Sequence, residues 1–147
     1  MDLSEQIAIK IREILSNFTD LQISNMKNVL ESKGKIATGY LISSFSKEIL
    51  SDTKIKITYA DYGRYVDGGR LPGGKMPPIN SIKNWCQVKG IPESMAFPIA
   101  KSIAKKGIKP VNFTQVFYDG LESLVSELSQ RVADEILTDI KITLENI

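Results

Sequence analysis

The chain has 147 residues, with 19 Lys and Arg against 17 Asp and Glu and a net charge of +2; this fits one globular domain and is too balanced to announce a nucleic-acid binder. There is no histidine, which removes the commonest general base and metal ligand, and Ser-His and Cys-His catalysis with them. Cys86 is the single cysteine, so an internal disulfide and a cysteine metal cluster are excluded, and a reducing compartment fits.

The opening residues, MDLSEQIAIK, are polar and mixed in charge, unlike a signal peptide, and no apolar run reaches the roughly 20 residues that span a bilayer. A protein made and used in the cytoplasm, or in something assembled there, is expected. Residues 2–33 are predicted helical, with Ile7, Ile11, Ile14, Phe18 and Leu21 on one stripe that Leu15, Met26 and Leu30 extend. Ser4 with Glu5 marks a cap, residues 17–20 a point of interruption, and Gly34 the stop. Residues 41–49 and 54–59 read as two extended segments joined by a polar turn over 50–53. Lys54-Ile55-Lys56-Ile57-Thr58 alternates strictly, as a half-buried strand does.

Tyr59, Tyr62 and Tyr65 are three apart and predict a short helix over 59–67. Residues 68–78 hold four Gly and three Pro and form a loop. A helix over 79–89 turns Ile79, Ile82, Trp85 and Cys86 to one face and closes at Gly90. Core packing is expected of Trp85 and Cys86, since no histidine is present to activate the thiol. A second helix, over 97–106, has Pro98 in its first turn and Ile99 and Ile103 on one side. Lys101, Lys105 and Lys106 lie on other faces, Gly107 ends it, and Lys109 and Pro110 follow.

From 112 to 145 one long helix is predicted. Its stripe is Phe113, Phe117, Leu121, Leu124, Leu128, Val132 and Ile136, and Gly120 weakens it by roughly 1 kcal/mol. At about 1.5 Å per residue it reaches roughly 50 Å. That exceeds the width of a small domain, so part of it is expected to pack against another chain. The fold class is α+β and mostly helical: a short antiparallel strand pair packed against helices, within residues 36–110, between long helices at 1–33 and 112–147.

Counted from Gly69, the stretch YVDGGRLPGGKMPP spells G-x-x-x-x-G-K, most of a phosphate-binding loop. Met76 stands where Ser or Thr would bind magnesium, and Pro77 and Pro78 remove two N–H donors. A surface loop is the expected reading; an ATP-linked site over Gly69 to Lys75 is the competing one. The acid pairs Asp61 with Asp67 and Asp134 with Glu135 make no obvious acid–base or two-metal site. No catalytic residue, cofactor site or metal site is expected, and the chain is read as not an enzyme.

The same loop belongs to an ordered series of motifs. Thr38-Gly39-Tyr40-Leu41-Ile42-Ser43-Ser44 precedes Tyr59-Ala60-Asp61-Tyr62-Gly63-Arg64-Tyr65-Val66-Asp67-Gly68-Gly69. Then come Pro77-Pro78-Ile79, a Trp85 helix ending in Lys89-Gly90-Ile91, and a helix carrying Ala96-Phe97 to Ile103. Over residues 36–120 this series resembles the small head–tail connector and tail-completion proteins of tailed bacteriophages. It departs from their pattern at Lys106-Gly107-Ile108-Lys109-Pro110, where a Gly-Thr stretch is common, and in its longer C-terminal helix.

The resemblance implies a structural virion protein of the neck. It would form a homo-oligomeric ring of six or twelve copies that joins the capsid portal to the tail and lets DNA pass. Its partners would be itself, the portal or adaptor protein, tail proteins and, non-specifically, the genomic DNA, with no membrane. The Ile-, Lys- and Ser-rich usage fits an AT-rich genome such as that of a crAss-like phage. Subunit-interface residues would be Tyr62, Arg64, Tyr65, Asp67, Arg70, Leu71, Lys75 and Met76, with intrachain packing the competing role for Tyr59 and Tyr62. Lys101, Lys105, Lys106 and Lys109 are either a solvated helix face or a contact with DNA or a partner; a non-specific nucleic-acid-binding module is the alternative function.

Overall fold

The computed structural model describes residues 1–33 and 38–145. In order come α1 (Leu3–Lys33), α2 (Thr38–Ser43), β1 (Ser46–Ser51), β2 (Lys54–Thr58), α3 (Gly63–Gly68), α4 (Ile79–Lys89), a 3-10 turn (Glu93–Met95), α5 (Ala96–Lys106), α6 (Gln115–Asp119) and α7 (Leu121–Glu145). The expected class is observed: a mostly helical α+β fold with a two-stranded antiparallel sheet and long helices near both ends. The chain forms two compact units, Met1–Asn25 with Lys47–Ile57 and Val116–Ile147, and Met26–Ser46 with Thr58–Gln115.

In the first unit, α1 is capped by Asp2 rather than Ser4. The Asp2 carboxylate accepts from the Glu5 amide at 2.8 Å, which satisfies one of the four donors a helix start leaves open. Residues 17–20 do not interrupt the helix; the Thr19 hydroxyl donates back to the Leu15 carbonyl at 2.7 Å and so competes with nothing outside.

The stripe holds through Ile14 and Phe18 and then steps by four, so Gln22 is buried and Leu21 is 57% exposed. The reason is the chain opposite. Phe18 meets Phe117 edge to face with ring centres 5.6 Å apart. Gly120 passes so close that a Cβ there would stand 2.7 Å from Gln22 Nε2 and 3.1 Å from Phe18 Cε2. An apolar residue count could not see a glutamine taking the inward place.

The hairpin is tied to α1 by polar contacts. Lys47 Nζ donates to Asp20 Oδ1 at 2.7 Å and to Ser16 Oγ at 2.9 Å, and Arg12 pairs with Asp52 at 2.6 Å. The exposed pair is worth about 1 kcal/mol or less. In β2 the predicted alternation holds, with Ile55 and Ile57 turned inward between exposed residues.

Strand β1 starts later than predicted. Residues 41–43 lie in α2, where the Ser43 and Ser44 hydroxyls bond back to the carbonyls of Tyr40 and Leu41 and Leu41 is fully buried. A four-residue apolar and Ser run fits helix or strand equally, and only packing decides it. The strand continues to Ser51, so the turn is two residues long rather than four.

The single helix expected over 112–145 is also corrected. Residues 112–114 are not helical: Asn112 has φ 55° and Phe113 is fully buried. A turn at Gly120 then separates α6 from α7.

In the second unit, Ile82, Cys86, Ala96 and Ala100 form a buried cluster between α4 and α5, with Ile79, Trp85, Ile91, Ile99 and Ile103 packed against it. Cys86 is fully buried, as expected of a structural thiol. Small Ala96 and Ala100, one turn apart, allow the two helices to approach. A second cluster is aromatic. Phe113 stands edge-on to Phe45 at 5.9 Å and to Tyr59 at 5.4 Å, and Tyr59 and Phe45 are 5.3 Å apart. Such ring pairs add roughly 0.5–1.5 kcal/mol each beyond burial. The tyrosine helix is shorter than expected: α3 begins at Gly63, so of the three tyrosines only Tyr65 lies in it. The stop expected at Gly34 lies outside the described residues.

Candidate interaction surfaces

The Gly/Pro stretch is anchored at its start. Helix α3 ends at Gly69 with φ 68° and ψ −175°, and α5 ends at Gly107 with φ 74° and ψ −176°. Two helix ends in the same glycine-specific conformation face each other across an antiparallel bridge. Arg70 N donates to the Ile108 carbonyl at 2.9 Å and Ile108 N to the Arg70 carbonyl at 2.8 Å. A Cβ on Gly69 would lie 2.6 Å from the Ile108 carbonyl oxygen. One on Gly107 would press on the Arg70 carbonyl oxygen and lie 2.9 Å from Pro72 N. Gly73 N adds a bond to the Ala104 carbonyl at 2.7 Å.

The G-x-x-x-x-G-K spelling therefore describes a latch. Its lead-in is a helix where a phosphate cradle needs a strand, and the amides of Gly69, Arg70 and Gly73 donate within the chain. Arg70 also donates from its guanidinium to the Lys75 carbonyl at 2.6 Å, which curls the loop back on itself.

The residues expected at an interface divide by environment. Tyr62 is buried and stacks on Tyr40 with ring centres 6.3 Å apart. Burial raises its hydroxyl pKa to about 12, helped by Tyr40 and Asp61 nearby; a hydrogen bond to the Leu41 backbone pulls the other way. Asp67 reaches across the unit, accepting from Thr114 N at 2.9 Å and from the Thr114 hydroxyl at 2.6 Å. With Val111 N on the Val66 carbonyl and Asn112 N on the Asp67 carbonyl, it fixes the chain that enters α6.

The guanidiniums of Arg64 and Arg70 lie 4.8 and 4.6 Å from the centre of the Tyr65 ring. Such cation–π contacts are worth roughly 0.5–1 kcal/mol at exposed sites. Leu71 (84% exposed), Lys75 and Met76 face outward. Asp61 accepts from Ser81 Oγ at 2.6 Å. Among the described residues, no group of His, Cys, Asp and Glu is placed to hold a metal ion, and no helix is long and apolar enough to cross a membrane.

Lys101, Lys105, Lys106 and Lys109 are all exposed, and among the described residues no acid pairs with them. Phe97, 55% exposed, stands one turn before Lys101, so Phe97, Lys101 and Lys105 make one outward row. Beside Phe97 opens a groove of about 480 Å³ lined by Ile79, Lys83, Glu93, Ser94, Ala96 and Phe97.

The even charge balance of the whole chain conceals a partition. The second unit carries twelve Lys and Arg against four Asp and Glu, a net of +8; the first carries seven against thirteen, a net of −6. Counting charge by segment of the sequence would have shown part of this, but the units are assembled from separate segments and only the fold sums them.

Searches against protein-family models, curated proteins and solved structures find no match.

The first unit has an unfilled surface of its own. Leu124 is buried and Leu128 and Val132 half-buried, but Val125, Ile136 and Ile140 are 61%, 39% and 49% exposed. At 100° per residue Val125, Val132, Ile136 and Ile140 fall within about 80° of arc. They form an apolar row beside the buried one, along a helix with six acidic and two basic residues.

Proposed function

We propose that the chain is a structural subunit of a bacteriophage neck, forming a homo-oligomeric ring between portal and tail through which DNA passes. The observation that carries this is where the motifs of the resemblance fall. The Thr-Gly-x-Leu-x-x-Ser, Tyr-rich, Pro-Pro-Ile, Trp-helix and Ala-Phe segments all lie in the second unit. There they share work: Leu41 and Tyr62 are buried, Tyr40 stacks on Tyr62, and Asp67 holds Thr114. Exposed Leu71, Met76 and Phe97, and the apolar row of α7, supply surface for neighbours in an assembly.

The test is native mass spectrometry of the protein alone and mixed with the portal protein of the same genome. A closed ring, alone or on the portal, is expected. A protein that ignores the portal, whether monomer or ring, or a hydrolase activity in the pure protein, refutes the proposal.

A second reading is favoured by the +8 charge of the second unit: non-specific binding of nucleic acid by the lysine face. It predicts DNA affinity that falls steeply with salt and is lost in Lys101→Glu/Lys105→Glu/Lys106→Glu. Affinity that ignores salt or survives that variant refutes it.

A further inference from the structure

We infer that copies of this chain associate head to tail, the acidic apolar row of α7 in one copy docking on the basic Phe97 face of the second unit in the next. The inference rests on the ring reading only in taking the partner to be a second copy; the surfaces themselves are read from the fold. It deepens that reading by naming the two faces.

Charge complementarity selects the occupant. An apolar row that stays half in water favours a cover, and two α7 helices laid together would be the simplest one. That pairing sets two helices with a net charge of −4 each side by side. A basic counter-surface removes this repulsion, and the second unit, with twelve cations against four acids in all, presents one in exposed Lys101 and Lys105 behind Phe97. On that surface the groove beside Phe97 offers apolar walls from Ile79, Ala96 and Phe97 to receive Ile136 and Ile140; its own charges, Lys83 and Glu93, pair with each other at 3.7 Å, and Lys101 and Lys105 follow Phe97 along α5. The two faces differ, so the contact is heterologous: each copy retains one free face of each kind, and growth continues until the turn between copies closes a ring.

The contact makes a specific forecast about mixtures. Lys101→Glu/Lys105→Glu/Lys109→Glu removes one face, and Val125→Ser/Ile136→Ser/Ile140→Ser removes the other. All six positions are exposed, so both variants are expected to keep the wild-type far-UV circular dichroism. In sedimentation velocity at low salt the wild type is expected to form species larger than a dimer. Its association should weaken at least tenfold as the Debye length shrinks from about 30 Å at 0.01 M to about 3 Å at 1 M.

Each variant alone is expected to be monomeric, and a one-to-one mixture to stop at the dimer, because only one good face of each kind remains. A wild-type monomer at low salt, a mixture that stays monomeric, or rings that survive both variants overturns the inference. A mixed dimer together with no affinity for the portal would uphold head-to-tail contact and sink the neck reading, so the two fail separately.

Discussion

Replacing Gly107 by Ala should cost the fold roughly 3–5 kcal/mol. At φ 74° and ψ −176° the residue occupies a region essentially reserved for glycine, and an alanine held there stores about 1–3 kcal/mol. The added Cβ would press on the Arg70 carbonyl oxygen and lie 2.9 Å from Pro72 N. These are backbone atoms that cannot swing aside, so the bridge must open. Opening it loses the Arg70–Ile108 pair of hydrogen bonds, worth about 0.5–1.5 kcal/mol each. For a domain stable by about 5–15 kcal/mol the loss is large.

Urea denaturation reads it directly: with a slope of about 2 kcal/mol per molar, the midpoint should fall by roughly 2 M. Gly74→Ala is the control in the same loop, since a Cβ there meets only the Leu71 carbonyl oxygen, at an ordinary 3.4 Å; it should change stability by no more than about 1 kcal/mol. If Gly107→Ala and Gly74→Ala unfold at the same urea concentration, the latch does not hold the loop.

Other expectations follow from named contacts. Asp67→Ala should destabilise by about 1–2 kcal/mol in the same assay, as loss of a cap does, with Thr114→Val non-additive because both remove the hydroxyl–carboxylate hydrogen bond. Tyr62 is neutral when folded and its pKa is raised from 10 to about 12, so its contribution is intact below pH 10 and is lost as pH rises from 10 to 12. The loss is roughly 2–3 kcal/mol and should be absent in Tyr62→Phe, measured by denaturation across that pH range. Lys75→Ala should leave ATP titrations by calorimetry unchanged from wild type, since the amides before it are bonded within the chain.

Helices with a clean apolar face and a glycine stop could be read from the residues alone: α4 and α5 are observed at 79–89 and 96–106, within a residue of expectation. Strand β2 was equally legible, because alternation leaves one face for the interior. What escaped was set by partners far along the chain. Residues 41–43 carry no period of their own, and burial of Leu41 decides for helix. Gln22 turns inward because Gly120 and Phe117 stand opposite.

The surfaces were half legible. The lysine row and the long apolar stripe of α7 stand in the sequence. The latch at Gly69 and Gly107 does not, because it joins residues nearly forty positions apart, and the Gly69–Lys75 side of it spells most of a nucleotide motif.

Trp85 is the single tryptophan of the chain and packs against the α4–α5 core, so its emission reports on the second unit alone. Circular dichroism instead sums helices over the whole chain. Denaturation followed by the two signals will give one curve if the units melt as one cooperative body and two if they do not. A single indole thus lets an ordinary fluorimeter separate the stability of one unit from that of the molecule.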